Sequence, residues 1–161
     1  MQIAIPIYDR FTALDAVGPY EVLSRLPGAT VHFIAAERGM KRTETEMLGL
    51  NADATLDELP EPDVFVIPGG YGTRALLEDE QILGWVRHAH EHSEWTTSVC
   101  TGSLLLAAAG ILDGVEATTH WLEYDPEPPF DSGSPAKADP QIVELVSTLS
   151  RREQAELETA S

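Results

Sequence analysis

Cys100 is the only cysteine in the chain, and the residues around it, Thr96-Thr97-Ser98-Val99-Cys100-Thr101-Gly102-Ser103-Leu104, pass from a β-branched run into a leucine-rich one. The pattern predicts a strand running directly into a helix, with the thiol at the junction. A nucleophile on a sharp strand-to-helix turn between small residues is the arrangement of the serine nucleophile elbow, and Ser98-Val99-Cys100-Thr101-Gly102 is a cysteine version of it. Gly102 leaves room for the turn. The helix expected over Ser103 to Ala109, closed by Gly110, would direct its positive end and free amides at the sulfur, which favours a thiolate. A lone cysteine beside leucines also fits a small buried apolar residue, and position alone leaves both readings open.

Other chemistry-bearing residues fall near the same predicted sheet edge. Asp15 lies just past the end of a first strand, where open α/β sheets place ligands, although a carboxylate there also suits a helix N-terminus. Gly69-Gly70 follow a middle strand, and such glycines let backbone amides approach a ligand closely. His120, after a last predicted strand, would reach the same edge or serve as a hydrogen-bonded structural histidine. The run His88-Ala89-His90-Glu91-His92 invites a metal reading. On a helix only His88 and His92 share a face, and a catalytic zinc needs a third protein ligand, so no metal is expected and the histidines are read as favourable partners of the helix C-terminus.

These residues need strands and helices in alternation to hold them. Gln2 to Tyr8, Thr30 to Ala35 and Asp63 to Pro68 read as strands, the first and third apolar enough to be buried on both faces of a parallel sheet. Tyr20 to Leu26 is an expected helix, with Pro19 in its first turn and Pro27-Gly28 as its stop. Asp79 to Glu91 is another, with Ile82, Leu83, Val86 and Ala89 as its apolar stripe. Thr43 to Thr55 reads as a polar hairpin or irregular excursion without a clear role. Gly114 to Thr119 suggests one more strand, Asp125 to Pro135 a proline-rich loop, and Pro140 to about Leu157 a final polar helix.

Composition bounds the function. With 161 residues, 43% of them hydrophobic, the chain is expected to form one globular domain over 1–161. No apolar run approaches a membrane span, no signal peptide is recognisable, and a single cysteine excludes an internal disulfide framework, so a cytoplasmic location is expected. The 27 acidic against 10 basic residues give a net charge of −17, with Lys41 and Lys137 the only lysines. Such a surface repels nucleic acid, and no membrane partner is expected. It is similar to the surfaces of proteins from salt-accumulating microbes, where ionic strength screens self-repulsion.

Asp15 after the first strand, Ile67-Pro68-Gly69-Gly70 after a middle one, and the Ser98 to Ser103 elbow together resemble the PfpI/ThiJ superfamily. Within it, Leu14 to Pro19, Cys100-Thr101-Gly102 and Ala117 to Trp121 look most like isocyanide hydratases and the amidotransferase-like domains of AraC-type regulators. The resemblance implies a flavodoxin-like α/β fold, a three-layer sandwich with a mostly parallel sheet, over a core of residues 2–121. It implies Cys100 as nucleophile, Asp15 as its proton-handling partner, amides near Gly69, Gly70 and Thr101 as stabilising donors, and His120 in a supporting position. It implies a small-molecule substrate, no cofactor and a homodimer. Asp15 stands where the protease and glyoxalase branches carry glutamate, and Thr101 where the protease branch has histidine, so a peptidase is disfavoured. Residues 122–161 resemble the family's C-terminus, which implies that several tens of residues are missing after Trp121 and that the sandwich is incomplete. A non-catalytic binding or thiol-sensing domain, a glyoxalase-like enzyme and an inactive deleted relative remain alternatives.

The charge makes a direct prediction. Thermal midpoints measured from dilute to molar potassium chloride should rise as carboxylate repulsion is screened, and a flat or falling trend would remove the inference of adaptation to salt.

Overall fold

The structure is a computed structural model and describes residues 1–113 together with Glu144. Residues 1–113 belong to the unit Met1–Glu116, and Glu144 to a second unit, Ala117–Ser161. The strand expected at Gly114 to Thr119, His120, the proline-rich loop and the final helix lie outside the described residues, as does the inferred gap after Trp121.

The described elements run β1 (Gln2–Pro6), α1 (Ala13–Leu23), β2 (Thr30–Ala35), β3 (Gly39–Arg42), β4 (Gly49–Ala52), β5 (Ala54–Thr55), β6 (Val64–Ile67), α2 (Glu80–His92), β7 (Trp95–Ser98) and α3 (Ser103–Ala108). Five strands form one sheet in the order β5-β2-β1-β6-β7, every neighbouring pair parallel, while β3 and β4 make a separate antiparallel hairpin. Strands that pass both faces to helices must be apolar throughout. Ile3, Ala4 and Ile5 of β1 and Phe65 and Ile67 of β6 accordingly are fully buried, with Val64 and Val66 nearly so. The order β2-β1-β6-β7 is the flavodoxin-like winding, in which successive strands are added first on one side of β1 and then on the other. The mostly parallel α/β architecture expected from the sequence is therefore present. Its fifth described strand is the short β5, at the edge beyond β2.

The helices differ from expectation at their starts. Asp79 caps α2 by accepting a 2.9 Å bond from the Gln81 amide, and the helix buries Ile82, Leu83, Val86 and Ala89 as the pattern requires. Trp85 joins them, its ring edge-on to Phe65 at 5.4 Å and its indole N–H donating to Leu59 O at 3.0 Å. Helix α1 begins at Ala13, well before Pro19, so Pro19 sits inside the helix and Asp15 in its first turn. The bond that Pro19 cannot donate is the one to the carbonyl of Asp15, one turn earlier.

Two bridges converge on the sheet edge where α1 begins. Phe11, fully buried, pairs with Thr43 of the β3–β4 hairpin on one side and with Gly70 after β6 on the other. The stretch read only as a polar excursion is thus fastened to the exits of β1 and β6. Among the described residues no helix is long and apolar enough to cross a membrane.

Candidate active site

The Cys100 turn is built by a sharp change of backbone direction. Val99 is still extended, and its N–H donates to Ile67 O at 2.9 Å, continuing the β6–β7 ladder. Cys100 then adopts φ 52°, in the left-handed region that costs a residue with a Cβ roughly 1–2 kcal/mol. A 3-10 turn over Cys100–Gly102 leads into α3, fixed by Gly102 N–H to Val99 O at 2.9 Å and by Ser103 Oγ donating to Cys100 O at 3.1 Å. Gly102 is required there: a Cβ would run into the carbonyl oxygen of Ile67 and stand 3.0 Å from Pro68 O. The outcome is a thiol on the surface of the described unit, not the buried apolar residue of the bland reading.

Asp15 reaches this turn from α1. It is 8% exposed, and its Oδ2 accepts a 3.1 Å bond from the Gly69 N–H. A Cβ built on Gly69 would lie 2.8 Å from Asp15 Oδ2, 2.8 Å from Cys100 Cβ and 2.7 Å from Thr101 N, so these groups surround the same point and only glycine fits between them. Gly70, at φ 141°, donates its N–H to Thr101 Oγ1 at 2.9 Å, and its carbonyl accepts from Thr73 Oγ1 at 2.7 Å. Asp15, Gly69, Gly70, Cys100 and Thr101 are therefore brought together as expected. The Gly69 and Gly70 amides are both engaged within the protein. The amides of Cys100 and Thr101, by contrast, have no acceptor among the described residues. His120 lies outside the described residues.

The cleft at the thiol encloses about 310 Å³ and is lined by Thr12, Glu44, Tyr71 and Arg74 in addition to Gly70, Cys100 and Thr101. None of the first four was singled out from the sequence. Glu44 comes from the tip of the β3–β4 hairpin, and its Oε1 accepts from Thr12 Oγ1 at 3.0 Å and from Tyr71 N–H at 3.1 Å. Arg74 places its guanidinium 5.4 Å from the Tyr71 ring centroid, with Arg10 at 6.0 Å, and among the described residues neither arginine has an acidic partner. A neighbouring cavity of about 370 Å³ shares Tyr71 and takes in Arg10 and Lys41. Tyr8, also overlooked, is buried at the end of β1 and donates its hydroxyl to Pro68 O at 2.5 Å. Burial, then the negative charge of Asp15, Cys100 and Glu44, raises its pKa well above the ordinary phenol value, so Tyr8 stays a neutral donor.

Residues 1–126 match the model of the DJ-1/PfpI family. The chain belongs to that family. It is 41% identical over 125 residues to an isonitrile hydratase of Pseudomonas putida, covering 78% of this chain and 54% of the hydratase. It is 29% identical over 125 residues to the HTH-type transcriptional regulator GbdR of Pseudomonas aeruginosa, covering 74% of this chain and 34% of that protein. The chain thus spans about half the hydratase's length and a third of the regulator's. A ThiJ/PfpI family protein from Pseudomonas syringae superposes with a TM-score of 0.76 at 24% identity, over 96% of this chain and 89% of the other, which shows the fold. DJ-1/PfpI membership and the flavodoxin-like sheet agree with the expectation from the sequence.

Two glycines separate local crowding from general glycine effects. Gly102→Ala should destabilise by about 1–3 kcal/mol in urea unfolding, because the added methyl meets the immovable Ile67 backbone. Gly84→Ala, in the middle of α2 where a methyl meets only Arg87 Nη2 at 4.0 Å, should be neutral or stabilising by up to ~1 kcal/mol. Equal effects at the two positions would contradict the described elbow.

Proposed function

We propose that this site hydrates an isocyanide to an N-substituted formamide through covalent attachment to Cys100. The observation that carries the reading is the shared space around Gly69, where an exposed thiol held at positive φ and a nearly buried carboxylate are neighbours. The 41% identity to an isonitrile hydratase supports the choice of substrate.

In this reading Cys100 Sγ adds to the terminal carbon of the isocyanide while the thiol proton passes by way of Asp15 to the same carbon, giving a thioimidate. Asp15 then takes a proton from water as the water oxygen adds to that carbon. Asp15 returns that proton to nitrogen, the C–S bond breaks as the new hydroxyl gives up its own proton by way of Asp15 to the leaving sulfur, and the formamide departs with the thiol regenerated. Net change is one isocyanide plus one water. The free amides of Cys100 and Thr101 stabilise charge that develops on the adduct, and Tyr8 keeps the Pro68 carbonyl, next to Gly69, in place. No metal or organic cofactor enters these steps. Glu44, Tyr71 and Arg74 favour a substituent with polar groups over a bare hydrocarbon. The net charge of −17 favours a small molecule over nucleic acid as partner.

A second reading is a domain that binds a small molecule without turnover, favoured by the likeness to a helix-turn-helix regulator. Mass spectrometry of products formed from a simple isocyanide separates the two. Within the hydratase reading, Asp15→Asn should fold, since its amide oxygen still accepts from Gly69 N–H, yet lose about 10²–10⁴ in turnover. Asp15→Glu should retain part of the activity, its carboxylate displaced by a methylene. Unchanged kcat in Asp15→Asn would reduce Asp15 to a positional role.

A further inference from the structure

Two histidines of α2 meet a carboxylate from a loop distant in the chain. His88 and His92 lie one turn apart, with ring centroids separated by 4.4 Å. Glu61, from the loop before β6, brings its Oε1 to 3.3 Å from His88 Nε2 and 3.9 Å from His92 Nε2. The three donor atoms lie within 4.8 Å of one another. His90, on the same helix, turns instead to Thr96, its Nδ1 2.8 Å from Thr96 Oγ1.

We infer that Glu61, His88 and His92 form a surface site for a divalent transition metal of the zinc class. Two imidazoles and a carboxylate are a zinc donor set, with water completing the shell. Tetrahedral coordination at 2.0–2.2 Å needs donors about 3.3 Å apart, so exposed side chains need close only by an ångström or so. The tautomer is already suitable. His92 Nδ1 is 2.8 Å from the carbonyl of His88, which can only accept, so Nδ1 carries the proton and the lone pair of the neutral ring is at Nε2. In the neutral ring that lone pair stands with the Glu61 carboxylate 3.9 Å away, and a cation between the two would satisfy both.

The backbone beneath the donors is fixed. Glu61 stands between Pro60 and Pro62, whose φ angles are locked. Ser93 Oγ, just past the helix, donates to Pro62 O at 2.7 Å, and Glu94 N–H donates to Asp63 O at 2.8 Å. Loop and helix end are therefore latched together with or without metal. The strong negative charge of the chain further raises the local concentration of divalent cations. The site joins the starts of β6 and β7, at the opposite ends of those strands from Cys100, so its role is to clamp the joint that feeds the Cys100 strand rather than to take part in the chemistry there.

Zinc chloride titrated calorimetrically into untagged, EDTA-stripped Cys100→Ser protein, which lacks the competing thiol, tests the inference. One equivalent should bind, with affinity reduced at least tenfold in His88→Ala, in His92→Ala and in Glu61→Gln, and unchanged in His90→Ala. Zinc should also raise the thermal midpoint of Cys100→Ser and fail to do so once His92 is replaced, with circular dichroism confirming that each variant is folded. Absence of one-equivalent binding, or binding of unchanged affinity in either His88→Ala or His92→Ala, would overturn the assignment.

Discussion

The hydrogen bond from the Gly69 N–H to the Asp15 carboxylate is the interaction on which the rest of the site depends. It crosses from the exit of β6 to the first turn of α1, two segments separated by more than fifty positions in the chain, and it satisfies a carboxylate that is nearly removed from water. The same crossing brings the Cys100 turn to its place, because Gly69 has no side chain to keep Asp15, Cys100 and Thr101 apart. Around it three more bonds tie Gly69 and Gly70 to their neighbours: Thr12 N–H to Gly69 O, Gly70 N–H to Thr101 Oγ1, and Thr73 Oγ1 to Gly70 O. An acidic group is thereby held beside an exposed thiol, on elements positioned by a parallel sheet whose central strands β1 and β6 are buried.

Charge organises the cleft mouth in a way that the overall balance conceals. Arg25, Arg38 and Arg87 each pair with a glutamate, whereas Arg10 and Arg74 gather at Tyr71 without acidic partners among the described residues. Glu44 is set against them, tied to Thr12 and to the Tyr71 backbone. A chain of net charge −17 thus places Arg74 in the cleft at its thiol and Arg10 in the neighbouring cavity, neither with an acidic partner among the described residues.

Much of this site could be read from the sequence because its residues end strong patterns. Cys100 closes a β-branched run, Gly69-Gly70 follow Val64–Ile67, and Asp15 follows an apolar first strand. A strand end in a parallel α/β sheet is a position that periodicity locates well. Glu44 was hidden for the opposite reason: Thr43-Glu44-Thr45-Glu46 has no apolar face, and its placement comes from the bridge between Phe11 and Thr43, a tertiary contact without local signal. The start of α1 was misjudged because Pro19 looks like a first-turn proline, although the helix tolerates it internally. Glu61 shows the same limit at the other end of the sheet. The spacing of His88 and His92 was visible, but the carboxylate of the proposed metal site comes from a loop far away in the chain and is brought alongside by the β6–β7 pairing.

The claim that Cys100 and Asp15 act together on an isocyanide carbon is tested most directly by trapping the attachment. Intact-protein and peptide mass spectrometry, on samples acid-quenched early after mixing with an alkyl isocyanide, should reveal a mass gain on the Cys100 peptide equal to the whole isocyanide, since the addition expels no leaving group. Formamide should appear alongside it, and Cys100→Ser should yield neither adduct nor product. Formamide produced at an undiminished rate by Cys100→Ser, with no adduct on the Cys100 peptide of the unaltered protein, would contradict the account.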